Sequence, residues 1–120
     1  KERLEEAAMS DTFVWFHNHS EKPSEARSFY EKLLGWRPSD GPSGTTMFAG
    51  PTGPFAGLGA NEGGSAGWLP YVQVDDVDAA TTKALKLGAK LRKAKSRGPA
   101  GEFSVVEDPG GAALALWQKA

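Results

Sequence analysis

The sequence predicts an α+β fold made of two β-α-β-β-β modules in a single domain. Three repeated features carry that prediction. Leu34-Gly35 and Leu87-Gly88 each end a run with helical spacing, and they stand 53 residues apart. Pro51-x-Gly53 and Pro109-x-Gly111 each make a turn between two strand-like runs, 58 residues apart, and Leu58 matches Leu116 at the same separation. The difference is absorbed in loops. Repetition of this kind marks two copies of one supersecondary unit. A single sheet with one helix leaves its other face open to water, so the two modules are expected to pair around a shared concave face.

The first element is the strand within Thr12–Ser20, T-F-V-W-F-H-N-H-S, in which Val14, Trp15 and Phe16 are strong strand formers. Pro23 and Ser24 punctuate the chain after this strand, with Ser24 the expected N-cap and Glu25 well placed for the helix dipole. Ala26, Phe29, Tyr30, Leu33 and Leu34 then recur at helical spacing until Gly35 stops the helix. Trp36 is expected to begin a short strand, Arg37 to Gly44 to form a loop, and Thr45 to Ala49 a strand. A turn at Gly50–Gly53 leads into a strand over Pro54 to Gly59, and Ala60 to Gly67 reads as a flexible linker.

The second half repeats the order. A strand over Leu69 to Val74 is followed by a turn at Asp75-Asp76 and a helix over Asp78 to Leu87, ended by Gly88. A strand over Ala89 to Ala94, a loop through Gly101, a strand over Phe103 to Glu107, a turn at Asp108–Gly111 and a last strand over Ala112 to Trp117 complete it. Module 1 thus covers residues 10–60 and module 2 residues 67–119 of one domain, 10–120. Residues 1–9 open with a charged, helix-favouring run, Lys1 to Ala8, and are expected to be an extension, either a tag or upstream residues.

Composition narrows the function. Fourteen basic against fifteen acidic side chains give a net charge of −1, which argues against a dedicated nucleic-acid or membrane binder. With no cysteine there is no disulfide, thiol nucleophile or zinc-thiolate site. No apolar run approaches the ~20 residues of a membrane span and no signal-peptide pattern is visible, so a cytoplasmic setting is expected.

His17 and His19 are the two histidines of the chain. Side chains alternate along a strand, so Trp15, His17 and His19 are expected on one face and Val14, Phe16 and Asn18 on the other. That histidine face is the first candidate for a binding cavity. Other clusters carry less. Lys90, Arg92, Lys93, Lys95 and Arg97 could attract an anion, but Lys-rich edge strands guard against aggregation. Gly98–Gly101 has the composition of a lid or of any surface loop. Asp75-Asp76-Val77-Asp78 lacks calcium-loop spacing and reads as a turn with helix capping. Ser24, Ser65 and Ser96 have no histidine beside them, so nothing supports a nucleophilic triad.

Two stretches carry a resemblance to a known family. F-V-W-F followed by S-E-K-P-S-E-A-R-S-F-Y-E-K-L-L-G-W, and W-L-P-Y-V-Q-V-D-D-V-D-A-A with E-D-P-G-G-A-A-L-A-L-W, resemble the vicinal oxygen chelate superfamily. That group includes glyoxalase I, bleomycin-resistance proteins and extradiol dioxygenases. The resemblance covers Asp11 to Gln118 and rests on the F-Y-x-x-x-L-G-W helix ending and the D-P-x-G turn. It implies a glyoxalase-like fold, two βαβββ modules forming a cup-shaped, partly closed eight-stranded mixed sheet with the helices outside. It also implies a homodimer.

Enzymes of the superfamily hold a divalent metal in the cup. Carried over by resemblance, the ligand positions fall on Trp15, on or beside Gly57, on Leu69 and on Ala115, none of which offers a donor side chain. The resemblance therefore implies no metal at the usual site and no required cofactor. Ligand-contacting residues are expected to be Trp15, His17 and His19 from the first strand, Tyr71 and Gln73 from its counterpart, and Trp117 from the last strand, with Ala113 and Ala115 leaving room between them. Two functions remain open. One is a bleomycin-resistance-like protein that binds a small molecule in the cup. The other is a lyase, isomerase or dioxygenase using His17 and His19 as metal ligands, with Glu107 a conceivable carboxylate, or one of them as general base.

Overall fold

The computed structural model describes residues 12–120. The extension expected over residues 1–9 lies outside the described residues. Among the described residues, eight strands and two α-helices follow in the expected order: β1 Phe13–Ser20, α1 Pro23–Leu34, β2 Arg37–Asp40, β3 Thr46–Gly50, β4 Gly53–Ala60, β5 Gly67–Gln73, α2 Val77–Lys86, β6 Lys90–Gly98, β7 Gly101–Glu107 and β8 Ala113–Lys119. No helix among the described residues is long and apolar enough to cross a membrane.

The chain divides into two compact units, Trp15–Leu69 and residues 70–120 with the first strand's start up to Val14. Thr12 goes with the second unit because its carbonyl accepts the Gln73 N–H at 3.1 Å.

In the Trp15–Leu69 unit the strand order is β2-β3-β4-β1. β1 and β4 run parallel, while β2–β3 and β3–β4 are antiparallel. Helix α1 covers one face. Phe48, Ala56 and Leu58 are its buried core, and Ala26, Tyr30, Trp36 and Phe55 pack onto them. Of the apolar stripe expected on the helix, Ala26 and Tyr30 reach the sheet, whereas Phe29, Leu33 and Leu34 are half or more exposed.

The second unit repeats the plan with strand order β5-β8-β7-β6. β5 and β8 are parallel, and β8–β7 and β7–β6 antiparallel. Helix α2 covers a core of Val77, Val106 and Leu116. Beneath it, Thr81 Oγ1 stands 2.7 Å from the fully buried Ser104 Oγ and donates to the Val77 carbonyl at 2.6 Å, so neither hydroxyl is orphaned.

Several boundaries correct the sequence reading. Ser24 is not the N-cap: Lys22 holds that position with Pro23 as the first helical residue, and no side chain caps the helix. Proline's fixed φ and missing N–H suit the first turn and move the start two residues upstream of the expected one. Arg37–Gly44 is not all loop, because Arg37–Asp40 pairs along β3 before a short 3₁₀ turn at Pro42–Gly44. The loop expected after Ala94 is strand as well, leaving Pro99-Ala100 as the turn between Gly98 and Gly101. Charged side chains on an edge strand mask its pairing, since the backbone ladder with β7 rather than apolar alternation holds it.

Candidate functional site

In the Trp15–Leu69 unit the histidines are placed by the parallel pairing of β1 with β4, which sets His17 beside Gly57 and His19 beside Gly59. Asn18 between them is buried and donates its amide N–H to the Tyr30 hydroxyl on α1 at 3.2 Å. Asn18 therefore faces the helix, and strand alternation sends Trp15, His17 and His19 to the helix-free face.

The glycines make that arrangement possible. A Cβ at Gly57 would lie 2.8 Å from His17 Nδ1 and 3.3 Å from Trp15 Nε1, and one at Gly59 would lie 3.4 Å from His17 Nε2. The imidazole of His17 lies across both bare glycine positions. Met47, opposite Gly57 on β3, continues the same face. The rings of His17 and His19 are 4.9 Å apart, centre to centre. Burial, with a further contribution from the charge of His19, pushes the pKa of His17 down to about 4. At neutral pH His17 is a neutral imidazole, with one ring nitrogen donating and the other accepting.

In the second unit, β5–β8 register pairs Tyr71 with Ala115 and Gln73 with Trp117. β7–β8 register sets Phe103 against Trp117 and Val105 against Ala115. Leu116 lies in the core under α2, and Gln118 Oε1 accepts the Val77 N–H at 2.8 Å, so the alternate residues Ala115 and Trp117 take the helix-free face. Tyr71 and Phe103 rings approach to 5.7 Å. Burial raises the pKa of Tyr71, keeping its phenol protonated. Each unit thus gathers its own sequence-predicted residues on its helix-free face.

Sequence reasoning took Gly57 only as a vacant ligand position, and missed Gly59 and Met47 in the same unit and Phe103 in the other. The Gly57-Leu-Gly59 alternation was a readable signal, since two glycines at i, i+2 bare one face of a strand. Phe103 lay in an expected strand, but its approach to Tyr71 follows only once β8 is paired with both β5 and β7.

The residues at the superfamily's ligand positions do not fit a metal. Trp15, Leu69 and Ala115 carry no donor for a divalent ion, and the space a side chain at Gly57 would fill abuts the His17 ring. Among the described residues no three His, Cys, Asp or Glu side chains form a group able to hold an ion. Glu107 is engaged by Arg92 at 2.8 Å.

The remaining candidates resolve into structure. Lys95 pairs with Asp78 at 2.9 Å, Arg97 lies 3.7 Å from Glu102, and the Lys93 ammonium sits 5.6 Å from the Phe103 ring centre. The basic run is thus largely matched within the chain. Asp76 caps α2 by accepting the Ala79 N–H at 3.0 Å, as the acidic turn implied.

A family description, "Glyoxalase-like domain", matches residues 15–117. The chain belongs to this family of glyoxalase-like domains. Its sequence is 35% identical over 115 residues to a Mycobacterium bovis protein provisionally named glyoxylase CFP32, covering 87% of this chain and 44% of that one. The chain therefore spans less than half the length of this curated relative. Among solved structures, a glyoxalase/bleomycin resistance protein/dioxygenase superfamily member from Vibrio splendidus superposes with a TM-score of 0.66 at 17% identity, over 91% of this chain and 100% of that one. A Mn(II)-bound glyoxalase from Novosphingobium aromaticivorans gives 0.63 at 13% identity, over 91% and 38%. These likenesses establish the glyoxalase-like fold of the vicinal oxygen chelate superfamily.

Proposed function

We propose that this glyoxalase-like domain binds a small molecule against its helix-free sheet faces, in the manner of bleomycin-resistance proteins and without a metal at the usual positions. The observation that carries the proposal is His17. A neutral imidazole laid over two glycines, beside His19 and the Trp15 indole, offers a donor, an acceptor and an apolar wall, which suits a small planar or hydrophobic ligand with a few polar atoms. Tyr71, Gln73 and Trp117 are the residues of the other unit assigned to ligand contact.

A thermal-shift screen of planar aromatic fragments tests this. Hits on the wild type should lose roughly three- to tenfold in affinity in His17→Gln and in His19→Gln, the worth of one pocket hydrogen bond. Hits that bind both variants as tightly as the wild type would overturn it.

The second function, an enzyme using His17 as general base, has one observation in its favour: His17 is unprotonated at neutral pH. A base with a pKa of about 4 is weak, however, and efficient bases titrate near the working pH. Binding therefore ranks first.

Homodimerisation and a cytoplasmic location belong to the same proposal. A groove of about 630 Å³ beside α2, lined by apolar side chains including Leu87 and Phe13, supports association, because these two are 70% and 59% exposed. Sedimentation at micromolar concentration should give twice 12.7 kDa, and a strict monomer would refute the dimer.

A further inference from the structure

The helix-free face of the Trp15–Leu69 unit carries polar atoms that the fold itself does not use. Among the described residues, no hydrogen bond engages the Trp15 indole N–H or either ring nitrogen of His17. Both side chains are half-buried, yet no buried polar side-chain atom lacks a partner, so these nitrogens open onto solvent. Trp68 in the same unit differs, since its indole N–H is held by the Tyr30 hydroxyl at 3.2 Å.

The open nitrogens of Trp15 and His17 converge. The point where a Cβ of Gly57 would stand is 2.8 Å from His17 Nδ1 and 3.3 Å from Trp15 Nε1. One oxygen seated between these two nitrogens therefore lies within hydrogen-bond reach of both. Gly57 supplies the room. It pairs with His17 on one side and with Met47 on the other, and it sets no side chain between them.

The donors decide what fits there. An indole N–H only donates, so the occupant must accept. His17 is a neutral ring with a proton on one nitrogen. Its Nδ1 meets either a second lone pair of a carbonyl or the hydrogen of a hydroxyl. Neither residue brings a formal charge, so a neutral oxygen suits the site better than a carboxylate, whose desolvation would go uncompensated.

We propose that Trp15 Nε1–H, together with His17 Nδ1, binds a neutral carbonyl or hydroxyl oxygen of the ligand over Gly57. Trp15 is then a specificity-determining donor as well as an apolar wall. The proposal rests on the reading of this face as a small-molecule site, and it names the group that the site selects.

Acetophenone, 1-phenylethanol and α-methylstyrene share one skeleton and differ at a single position, which is a carbonyl, a hydroxyl-bearing carbon or an alkene. Binding is followed by the indole N–H resonance of Trp15, identified by its loss in Trp15→Phe. At least one oxygen-bearing probe should bind roughly three- to tenfold tighter than α-methylstyrene, the worth of one hydrogen bond, and move that resonance downfield. Acetophenone needs a proton on His17 Nδ1, whereas 1-phenylethanol can give one to it. Either order of the two supports the proposal and reports which ring nitrogen is protonated. Trp15→Phe keeps an aromatic ring and removes the N–H, so the preference for oxygen should disappear.

Equal binding of all three probes to the wild type would overturn the proposal while leaving small-molecule binding at this face intact. A preference for oxygen that persists in a folded Trp15→Phe would overturn it in the same way. Absence of saturation by every probe would overturn it together with the small-molecule reading.

Discussion

The imidazoles of His17 and His19 stand 4.9 Å apart with their planes tilted by 55°, on the strand face turned away from α1. Two titratable rings so close cannot both take a proton cheaply, and burial together with the charge of His19 lowers the pKa of His17 to about 4.

Stability should therefore depend on acid in a defined window. The folded pKa of His17, about 4, lies below its ordinary value of 6.5, so between these values the unfolded chain binds the proton more readily. Stability is full above about pH 6.5 and is lost as pH falls toward 4. Allowing for the partial exposure of the ring, the loss is about 2 kcal/mol. Urea denaturation at about pH 7 and pH 4.5 should show this difference in the wild type and a smaller one in His17→Gln.

Tyr30→Phe should be costly despite removing one atom. Its oxygen accepts from Asn18 and from Trp68, each at 3.2 Å, and Asn18 is only 7% exposed. Leaving a buried amide N–H without its partner costs about 1–3 kcal/mol. Chemical denaturation with an unchanged m-value would measure it.

Gly57→Ala probes the room beneath His17. The new methyl would fall 2.8 Å from Nδ1, so the imidazole must rotate or the strands part, at about 1–3 kcal/mol. An NMR titration of His17 should then move toward the ordinary histidine value, because a displaced ring is better hydrated. A titration identical to wild type would show that the ring does not rest on Gly57.

Much of this was legible in the sequence, for specific reasons. The Leu-Gly helix endings and Pro-x-Gly turns gave both modules, since each needs a backbone conformation or a missing N–H that few residues supply. The histidine face came from alternation alone, because Asn18 had to point opposite to His17 and His19. β2 and the far half of β6 were hidden: Arg37-Pro38-Ser39-Asp40 and Lys95-Ser96-Arg97-Gly98 are polar, and backbone pairing holds them. Phe55 was hidden too. No periodicity places the register shift between Phe48 and Ala49, so the packing of Phe55 onto the core appears only once the β3–β4 ladder is seen.

The central claim, a small-molecule site built on neutral His17 beside His19 rather than on a metal, is tested most directly by elemental analysis of the protein purified with neither chelator nor added metal. The account predicts well under roughly one-tenth of a Zn, Ni, Mn or Fe ion per chain, and a melting temperature that chelator leaves unchanged. One ion per chain, with stability falling on chelation and restored by the metal, would contradict it.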